Sequence, residues 1–309
     1  MYITPIHSLS EQLNGNRFFI KRDDLLPNSF GGNKARKASY FFAELEEEGC
    51  DTIVTYGSSS SNHCRVISNI AASRGLRCFI ISPTEKNKIT SNSRMMNLFG
   101  AEIIRCPVST VKETIDRKIS DLRIAGYAPY FIQGGGHGNL GTRAYVDAYE
   151  EIRSFEKENG IYFNYIFHAT GTGTTQAGLV CGQMLNSEAR NIIGISNARK
   201  NPYGGQVVLD SVNSYLKFLG KGNINNELIN FIDDYVLDGY GDYNDSIIQT
   251  IKDVLTKDGV PLDATYTGKA YWGMKEYLKK KKVTGENILF IHTGGTPLFF
   301  DDLGELENE

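Results

Sequence analysis

The feature that most limits the possible folds is a repeated unit in which a short apolar run ends at glycine or small polar residues and leads directly into a helical segment. The run from Thr52 to Tyr56 is one example, since it stops at Gly57 and the helix that follows ends near Ala72. Consecutive units of this kind predict an α/β fold with a mostly parallel sheet that is covered by helices on both faces. With 309 residues and 40% hydrophobic content, the chain can form two such domains or one large one.

These units extend over nearly the whole chain. The predicted strands cover residues 18–22, 52–56, 77–82, 101–106, 130–132, 165–169, 192–195 and 288–291. The predicted helices cover residues 33–43, 58–72, 91–99, 111–124, 143–155, 176–183 and 268–282, and a further helix ends at residue 257. Residues 197–210 are predicted to be irregular, residues 211–234 to be helical with loop interruptions, and residues 305–309 to form a frayed acidic tail.

Composition excludes several classes of function. The formal net charge of -3, without a basic stripe of interleaved aromatic residues, argues against a nucleic-acid partner. The longest apolar runs, such as residues 78–81, have the length of strands, so no segment is expected to span a membrane. The residues after Met1 do not form a secretory signal, and the five cysteines form no CxxC pair. We therefore expect a cytoplasmic protein without a disulfide framework or a metal site.

Lys34 is the first candidate functional residue. Gly31 and Gly32 precede it and allow a tight turn, and a helical pattern follows, so Lys34 falls in the first turn of a helix. At that position the helix dipole and the exposed amide groups disfavour a positive charge and lower the pKa of the amine. A partly neutral amine can form a Schiff base. From these residues alone, Lys34 could equally be a solvated cation beside Arg36 and Lys37.

The strongest signal for a bound ligand is a glycine and threonine turn after the predicted strand 165–169. The turn consists of Gly171, Thr172, Gly173, Thr174 and Thr175. Backbone amides and hydroxyls at the start of a helix favour an anion, so we predict a phosphate monoester at this turn. A nucleotide is the competing ligand, but the turn has neither a Walker lysine nor the third glycine of GxGxxG. The turn could also be a tight connection without a ligand.

A second anion-binding turn is predicted at residues 58–62, which read Ser-Ser-Ser-Ser-Asn. These hydroxyls can cap the helix that follows, or they can bind a carboxylate together with the Asn62 amide and nearby backbone N–H groups. The candidates for the carboxylate site are Ser61, Asn62 and His63. His63 could instead be a structural hydrogen-bonding residue, because histidines near helix starts often are.

A Schiff-base lysine, a phosphate site and a carboxylate site are together what pyridoxal 5'-phosphate and an amino-acid substrate require. Seven motifs carry a further resemblance, and they are Lys21-Arg22-Asp23-Asp24, residues 31–37, Ser61-Asn62-His63 with Arg65, residues 171–175 with Ala177-Gly178-Leu179, Gly239-Tyr240-Gly241, Tyr266-Thr267-Gly268-Lys269 and His292-Thr293-Gly294-Gly295. In this order they resemble the D-cysteine desulfhydrase and 1-aminocyclopropane-1-carboxylate deaminase family of fold-type II pyridoxal phosphate enzymes. The resemblance implies a tryptophan-synthase-β-like α/β fold with two doubly wound, mostly parallel sheet domains.

The resemblance also implies which residues hold the cofactor. Lys34 would form the Schiff base and later move protons, and residues 171–175 would bind the phosphate. Asn62 would hydrogen-bond the oxygen of the cofactor ring. Thr293 would lie beside the pyridine nitrogen, where a hydroxyl in place of a carboxylate would not hold a full positive charge on the ring.

Further residues would contact a small amino-acid substrate. Ser61 and its neighbouring amides would bind the substrate carboxylate. Tyr240 and Tyr266, which match the two active-site tyrosines of the family, would face the substrate and assist proton transfer. The chain has 17 tyrosines, so most of them must serve packing instead.

The motifs favour the desulfhydrase branch of the family, because the deaminases typically have glutamate where Thr267 stands and tend to lack a threonine at Thr293. The expected reaction is α,β-elimination from D-cysteine to pyruvate, ammonia and sulfide. Three departures keep alternatives open: Ser60 stands where glutamine is usual, Cys64 where threonine or valine is usual, and Ala264 where proline is common. The alternatives are a β-replacement synthase, a 1-aminocyclopropane-1-carboxylate deaminase, a catalytically silent cofactor-binding protein and, more remotely, a nucleotide-binding dehydrogenase.

The positions of the motifs predict two domains with the site between them. The large pyridoxal phosphate-binding domain is expected to comprise residues 1–43 and 140–309, and the small inserted α/β domain residues 44–139. Such a cleft could close when substrate binds. The family resemblance implies a homodimer.

Overall fold

The structure of the chain is a computed structural model that describes residues 3–85 and 89–307. The strands in this part of the chain are β1 (Ile6–Ser8), β2 (Arg17–Lys21), β3 (Thr52–Tyr56), β4 (Arg77–Pro83), β5 (Glu102–Cys106), β6 (Pro129–Ile132), β7 (Tyr165–Thr170), β8 (Asn191–Ser196), β9 (Asn230–Ile232) and β10 (Asn287–Ile291). The helices are α1 (Asn33–Glu47), α2 (Asn62–Ser73), α3 (Ser91–Leu98), α4 (Val111–Ile124), α5 (Asn139–Asn159), α6 (Thr174–Leu185), α7 (Tyr203–Phe218), α8 (Asp245–Asp258), α9 (Thr267–Lys280) and α10 (Thr296–Glu307).

The larger sheet has six strands in the order β1-β2-β10-β7-β8-β9. Strand β1 is antiparallel to β2, and the other strands run parallel to their neighbours. Strand β2 pairs with β10 so that Arg17 lies opposite Asn287 and Lys21 opposite Ile291. A strand from the beginning of the chain therefore lies beside the last strand of the sheet in sequence.

The smaller sheet has four parallel strands in the order β5-β4-β3-β6. Its inner strands β3 and β4 are largely buried, as expected for parallel strands with both faces covered; Ile53, Val54, Phe79 and Ile81 are all fully buried. The two parallel sheets confirm the predicted fold class. The division at residues 43/44 and 139/140 stays a prediction, although β3 to β6 all lie within the predicted small domain.

The structure corrects the prediction at several elements. Helix α7 occupies part of the segment predicted to be irregular, and it buries Val208, Val212 and Leu216 at helical spacing. The short strands β1 and β9 were not predicted, and neither was α10, which extends to Glu307 across part of the predicted frayed tail. Residues 308 and 309 of that tail lie outside the described residues. Within residues 3–85 and 89–307, no helix has both the length and the apolar character needed to cross a membrane.

The carboxyl ends of strands from both sheets point to one region. From the larger sheet, β7 leads into Gly171, β8 into Asn197 and β10 into His292. From the smaller sheet, β3 leads into Gly57 and β6 into Gln133. The turns beyond the carboxyl ends of parallel strands are where α/β folds bind ligands, so this arrangement locates the candidate site.

Candidate active site

A cavity of about 690 Å³ lies between the turns that follow these strands. It contains nearly all the residues that the sequence singled out, although they come from separate segments of the chain. The predicted residues in its lining are Lys34, Ser61, Asn62, His63, Gly171, Thr172, Gly173, Thr175, Tyr240, Tyr266 and Thr293. Thr174, the remaining predicted residue, is buried outside the lining.

Lys34 lies in the first turn of α1, as predicted, because a glycine precedes the helix. Gly32 has a φ of 90°, and a Cβ there would come 2.7 Å from the Thr293 carbonyl oxygen, so a larger residue would push the helix away. The Asn33 N–H donates to that same oxygen at 2.9 Å. Lys34 Nζ donates to the carbonyl oxygen of Gly135 at 2.8 Å. Burial lowers the pKa of Lys34 to about 8, which agrees with the predicted direction, although the principal cause is burial rather than the helix start.

The glycine and threonine turn leads into α6, whose first turn has no capping side chain. The first N–H groups of this helix are therefore free to bind an anion. The turn is tightly enclosed, since a Cβ on Gly171 would lie 3.0 Å from Asn197 Oδ1 and a Cβ on Gly173 would lie 3.3 Å from Val207 Cγ1. These small residues preserve a space with free amide groups on one side, which suits a phosphate group.

Helices α1 and α6 are joined at their first turns by two hydrogen bonds. Asn33 Nδ2 donates to Thr175 Oγ1 at 3.1 Å, and Lys37 Nζ donates to Thr174 Oγ1 at 2.8 Å. Lys37 is 1% exposed, and its amine contacts a hydroxyl and the ring of Tyr145 rather than a carboxylate. Burial and the nearby Lys34 lower the pKa of Lys37 well below its usual value. The sequence showed Lys37 only as one of several cations after the glycines.

The serine turn is held in place by the start of α3. Thr90 Oγ1 donates to the carbonyl oxygen of Ser59, and Asn92 Nδ2 donates to the carbonyl oxygen of Ser60, both at 2.9 Å. Ser61 Oγ accepts from the Cys64 N–H at 3.2 Å and so caps α2, which was one of the two predicted uses of this turn. The cap uses one hydroxyl and leaves the first two N–H groups of α2 free of side-chain partners.

His63 and Asn62 have different surroundings although they are neighbours on α2. His63 is 2% exposed, and its Nε2 lies 2.9 Å from Thr55 Oγ1. Burial, with Lys34 and Lys37 nearby, lowers the pKa of His63 well below its usual value, so the ring is neutral. Asn62 Oδ1 accepts from Asn92 Nδ2 at 2.9 Å, which fixes the orientation of the Asn62 amide.

The two predicted tyrosines meet at the opening of the cavity. The hydroxyl oxygens of Tyr240 and Tyr266 are 2.5 Å apart, and the Tyr240 hydroxyl lies 3.2 Å from Ser60 Oγ. Burial raises the pKa of Tyr266 well above its usual value, and the neighbouring Tyr240 adds to the effect. Lys269, which is buried, donates to the carbonyl oxygens of Val236 and Gly239, both at 3.0 Å, and so holds the loop that carries Tyr240.

Each of the three departures from the family pattern has a structural counterpart. Ser60 makes the hydrogen bond to Tyr240. Cys64 is fully buried, and burial raises its pKa to about 12, so it is a neutral thiol. Ala264 uses the N–H that a proline would lack, because it donates to Asp302 Oδ2 on α10 at 2.8 Å.

The charges of the cavity are one-sided. Among the described residues, its lining includes Lys34 and Arg199 but no aspartate or glutamate. His137, also in the lining, has a pKa lowered by burial, although its contact with the Thr172 carbonyl opposes the shift. The sequence analysis missed Arg199 and His137, and the signal that could have found them is their position directly after strands β8 and β6. A buried cavity with cations and no carboxylates is suited to an anionic ligand.

Comparison with known proteins agrees with this geometry. A family model described as "Pyridoxal-phosphate dependent enzyme" matches residues 2–294. The chain is 33% identical over 303 residues to D-cysteine desulfhydrase of Klebsiella pneumoniae (strain 342), and the match covers 94% of this chain and 90% of the relative.

Solved structures are similar over almost the same extent. The crystal structure of an ACC deaminase homologue is 30% identical, with a TM-score of 0.89, and the match covers 99% of this chain and 94% of that one. A threonine deaminase from T.th. is 14% identical with a TM-score of 0.70, and the match covers 95% of this chain and 92% of that one. At that identity the second likeness shows the fold alone.

Proposed function

Since the chain belongs to the family of pyridoxal-phosphate dependent enzymes, we propose that it is a lyase that performs α,β-elimination on a small amino acid, with D-cysteine as the substrate. The products would be pyruvate, ammonia and sulfide. The observation that carries the proposal is the joint presence, in one cavity, of the Lys34 amine, an anion-binding glycine turn and the Tyr240 and Tyr266 pair. The desulfhydrase relative supports the choice of D-cysteine.

The residues of the cavity fit pyridoxal phosphate. The start of α6 offers free N–H groups, and the small residues Gly171 and Gly173 keep space that side chains would fill. Lys34 offers an amine that is substantially neutral near pH 8. Among the described residues no carboxylate lines the cavity, so nothing there repels a phosphate dianion.

We assign the cofactor contacts as follows. Lys34 would bind it covalently, the N–H groups of residues 171–175 would bind its phosphate, and Asn62 would hydrogen-bond the oxygen on its ring. Thr293 would contact the pyridine nitrogen, where a hydroxyl supports the ring without a formal negative charge. When bound, pyridoxal phosphate supplies an electron sink for the pair left at the α-carbon when its proton is removed.

The substrate contacts would come from a different set of turns in the same cavity. Ser61 and the first N–H groups of α2, at Asn62 and His63, bind the carboxylate, because a helix start favours an anion. Lys34 Nζ takes the α-proton. Tyr266 remains protonated because of its raised pKa, and its hydroxyl passes a proton toward the leaving sulfur with Tyr240 as its hydrogen-bond partner.

Two other reactions use the same contacts. Deamination of 1-aminocyclopropane-1-carboxylate is supported by the similarity to an ACC deaminase homologue. A β-replacement synthase differs in that a second substrate, rather than water, completes the reaction. The departures from the family pattern at Ser60, which contacts Tyr240, and at Cys64 are the reason to test this alternative.

The visible absorption spectrum of the purified protein separates these possibilities. D-cysteine, L-cysteine and 1-aminocyclopropane-1-carboxylate are added in turn, and sulfide, ammonia and keto acid are measured. We expect sulfide and pyruvate in equal amounts from D-cysteine. Ammonia from the cyclopropane substrate alone would establish the deaminase, and a spectral change without keto acid would establish a synthase. A colourless protein that binds no cofactor would contradict the whole assignment.

A substitution tests the role of the tyrosine pair. Tyr266→Phe should lower kcat by about 100-fold or more, because one proton-transfer group is lost, while the cofactor content stays unchanged. Tyr271→Phe is the matched control, since Tyr271 is also buried but its hydroxyl has no hydrogen-bond partner among the described residues. Equal loss of cofactor and turnover in the Tyr266 variant would mean that the residue is structural.

We further propose that the protein is a cytoplasmic homodimer with domains that divide at residues 43/44 and 139/140. Sedimentation equilibrium tests the dimer, and cell fractionation tests the location. Limited proteolysis with and without substrate tests whether the small domain moves as one unit.

A further inference from the structure

Arg199 carries the strongest unexplained charge in the cavity. It follows β8, lines the cavity and is partly buried. Its Nη1 atom is buried and has no hydrogen-bond partner among the described residues. A buried guanidinium nitrogen without a partner costs free energy, so its retention in a cavity indicates a ligand that supplies the missing acceptor.

The backbone around Arg199 is fixed beside the glycine turn. Ser196, fully buried at the end of β8, donates from Oγ to the Arg199 carbonyl oxygen at 2.6 Å. The Asn197 N–H donates to the Thr170 carbonyl oxygen at 3.2 Å, and the Asn197 side chain closes the space beside Gly171. Arg199 is therefore anchored close in sequence to a residue that contacts the phosphate turn directly.

The side chain of Arg199 is also oriented. Its guanidinium lies 5.3 Å from the centre of the Tyr203 ring at the start of α7. Stacking on an aromatic ring holds the guanidinium plane and leaves its N–H edge available. The N–H edge of the guanidinium suits a group with several acceptor oxygens, such as a phosphate monoester.

We propose that Arg199 binds the phosphate of pyridoxal phosphate, adding a charged donor to the backbone amides of residues 171–175. The inference rests on the cofactor and not on the proposed substrate. A carboxylate on the substrate is the competing ligand, but the predicted substrate-binding residues Ser61 and Tyr266 lie on other segments, whereas Arg199 lies two residues after Asn197, whose side chain contacts Gly171. Arg199 would therefore make the protein bind the phosphorylated cofactor more tightly than its unphosphorylated form.

The test compares pyridoxal phosphate with pyridoxal, which has the same aldehyde but no phosphate. Affinities of the cofactor-free protein are measured by titration of the visible absorption band for the unmodified chain, Arg199→Met and Arg199→Lys. We expect Arg199→Met to weaken the binding of pyridoxal phosphate about 10- to 100-fold, because a charged hydrogen bond is lost, and to leave the affinity for pyridoxal unchanged. The affinity of Arg199→Lys for pyridoxal phosphate should lie between those of the unmodified chain and Arg199→Met, since lysine keeps the charge but lacks the planar guanidinium.

Lys200→Met is the matched control, because Lys200 is the next residue, carries the same charge and is exposed. It should change neither affinity. Equal weakening of both ligands by Arg199→Met would make Arg199 structural, and unchanged affinity for pyridoxal phosphate would also overturn the proposal. Should the methionine variant not fold, Arg199→Lys decides the question by the same comparison. Failure of the unmodified chain to bind pyridoxal phosphate would instead overturn the cofactor assignment, and this proposal with it.

Discussion

Helix α1 contributes residues to two groups of charges that are built in opposite ways. The paired cluster consists of Lys21, Asp23, Arg36 and Glu151, and each charge in it faces an opposite one. The cavity cations consist of Lys34, Lys37 and Arg199, which contact a carbonyl oxygen, a hydroxyl and an aromatic ring. The difference distinguishes charges that the protein neutralises internally from charges that it leaves for a ligand.

The neighbours Arg36 and Lys37 show this difference most directly. Burial alone would lower the pKa of Arg36, but Asp23 and Glu151 raise it well above its usual value. Burial, together with Lys34, lowers the pKa of Lys37 well below its usual value, because no anion among residues 3–85 and 89–307 opposes the shift. Arg36 thus belongs to the framework that fixes α1, and Lys37 belongs to the site that α1 presents.

The largest expected effect is the loss of function on removing Lys34, the cavity cation that we propose binds the cofactor covalently. Lys34→Ala should abolish both the covalent cofactor and turnover, because no other amine among the described residues of the lining can replace it. Absorbance and mass of the purified variant measure the first effect, and a pyruvate assay measures the second. Lys112→Ala, at an exposed lysine paired with Asp116, serves as the control and should be fully active. Full activity of the Lys34 variant would end the pyridoxal interpretation.

The second effect is on the paired cluster. Burial alone would raise the pKa of Asp23, but Arg36 and Lys21 hold it well below its usual range. Asp23→Asn should therefore lower the free energy of unfolding by about 3–5 kcal/mol, because it removes one of the two carboxylates that neutralise the buried Arg36 guanidinium. Urea unfolding measures this loss. Glu46→Gln, which removes an exposed ion pair with Arg74, should cost less than about 1 kcal/mol. Similar losses in the free energy of unfolding for the two variants would contradict the view that the buried cluster stabilises the fold more than an exposed ion pair does.

The third prediction concerns pH. The Lys34 amine attaches to an aldehyde only when neutral, and its pKa is about 8. The rate of cofactor attachment should therefore rise about tenfold per pH unit below this value and level off above it. Stopped-flow absorbance measures the rate, and free lysine, with a pKa of 10.5, is the control whose rate keeps rising. A rate that continues to increase toward pH 10 would show that the pKa of Lys34 is not lowered.

The smallest effect is expected where removal of a charge should help folding. Lys37→Met should stabilise the cofactor-free protein by about 1 kcal/mol, because an uncompensated buried amine is replaced by an apolar chain of similar length. Arg36→Met, at the adjacent position, should instead destabilise it, since Asp23 and Glu151 lose their partner. Thermal unfolding of the two cofactor-free variants measures both effects. Changes of the same sign in the unfolding temperatures of the two variants would mean that Lys37 and Arg36 do not differ in how their charges are compensated.

Much of the fold was predictable because strands and helices alternate with clear turn signals. All eight predicted strands are present, and the glycine turns lie at their carboxyl ends. Helix α7 was missed because Gly204 and Gly205 at its start disfavour a helix, whereas in the structure a Cβ on Gly204 would come 2.3 Å from the Phe231 ring. The requirement for that contact comes from β9, which is distant in sequence.

The candidate site was predictable to the extent that local sequence creates it. The position of Lys34 after two glycines and the free amides at residues 171–175 are local properties. The selection of Tyr240 and Tyr266 among 17 tyrosines depended on family resemblance, because nothing local distinguishes them. The position of Arg199 after β8 marks it as a candidate, but the missing counter-charges of Lys37 and Arg199 could not be recognised from the sequence, since they become visible only when distant segments are brought together.

The pairing of β2 with β10 implies an order of events during protein synthesis. Strands β3 to β6 can pair with one another soon after they leave the ribosome, whereas the inner edge of β2 stays open until β10, starting at Asn287, has emerged. The contact of Gly32 with Thr293 must wait for the same event. The turn that carries Lys34 therefore cannot take its final shape until residue 293 has been synthesised, so cofactor binding should follow the synthesis of β10.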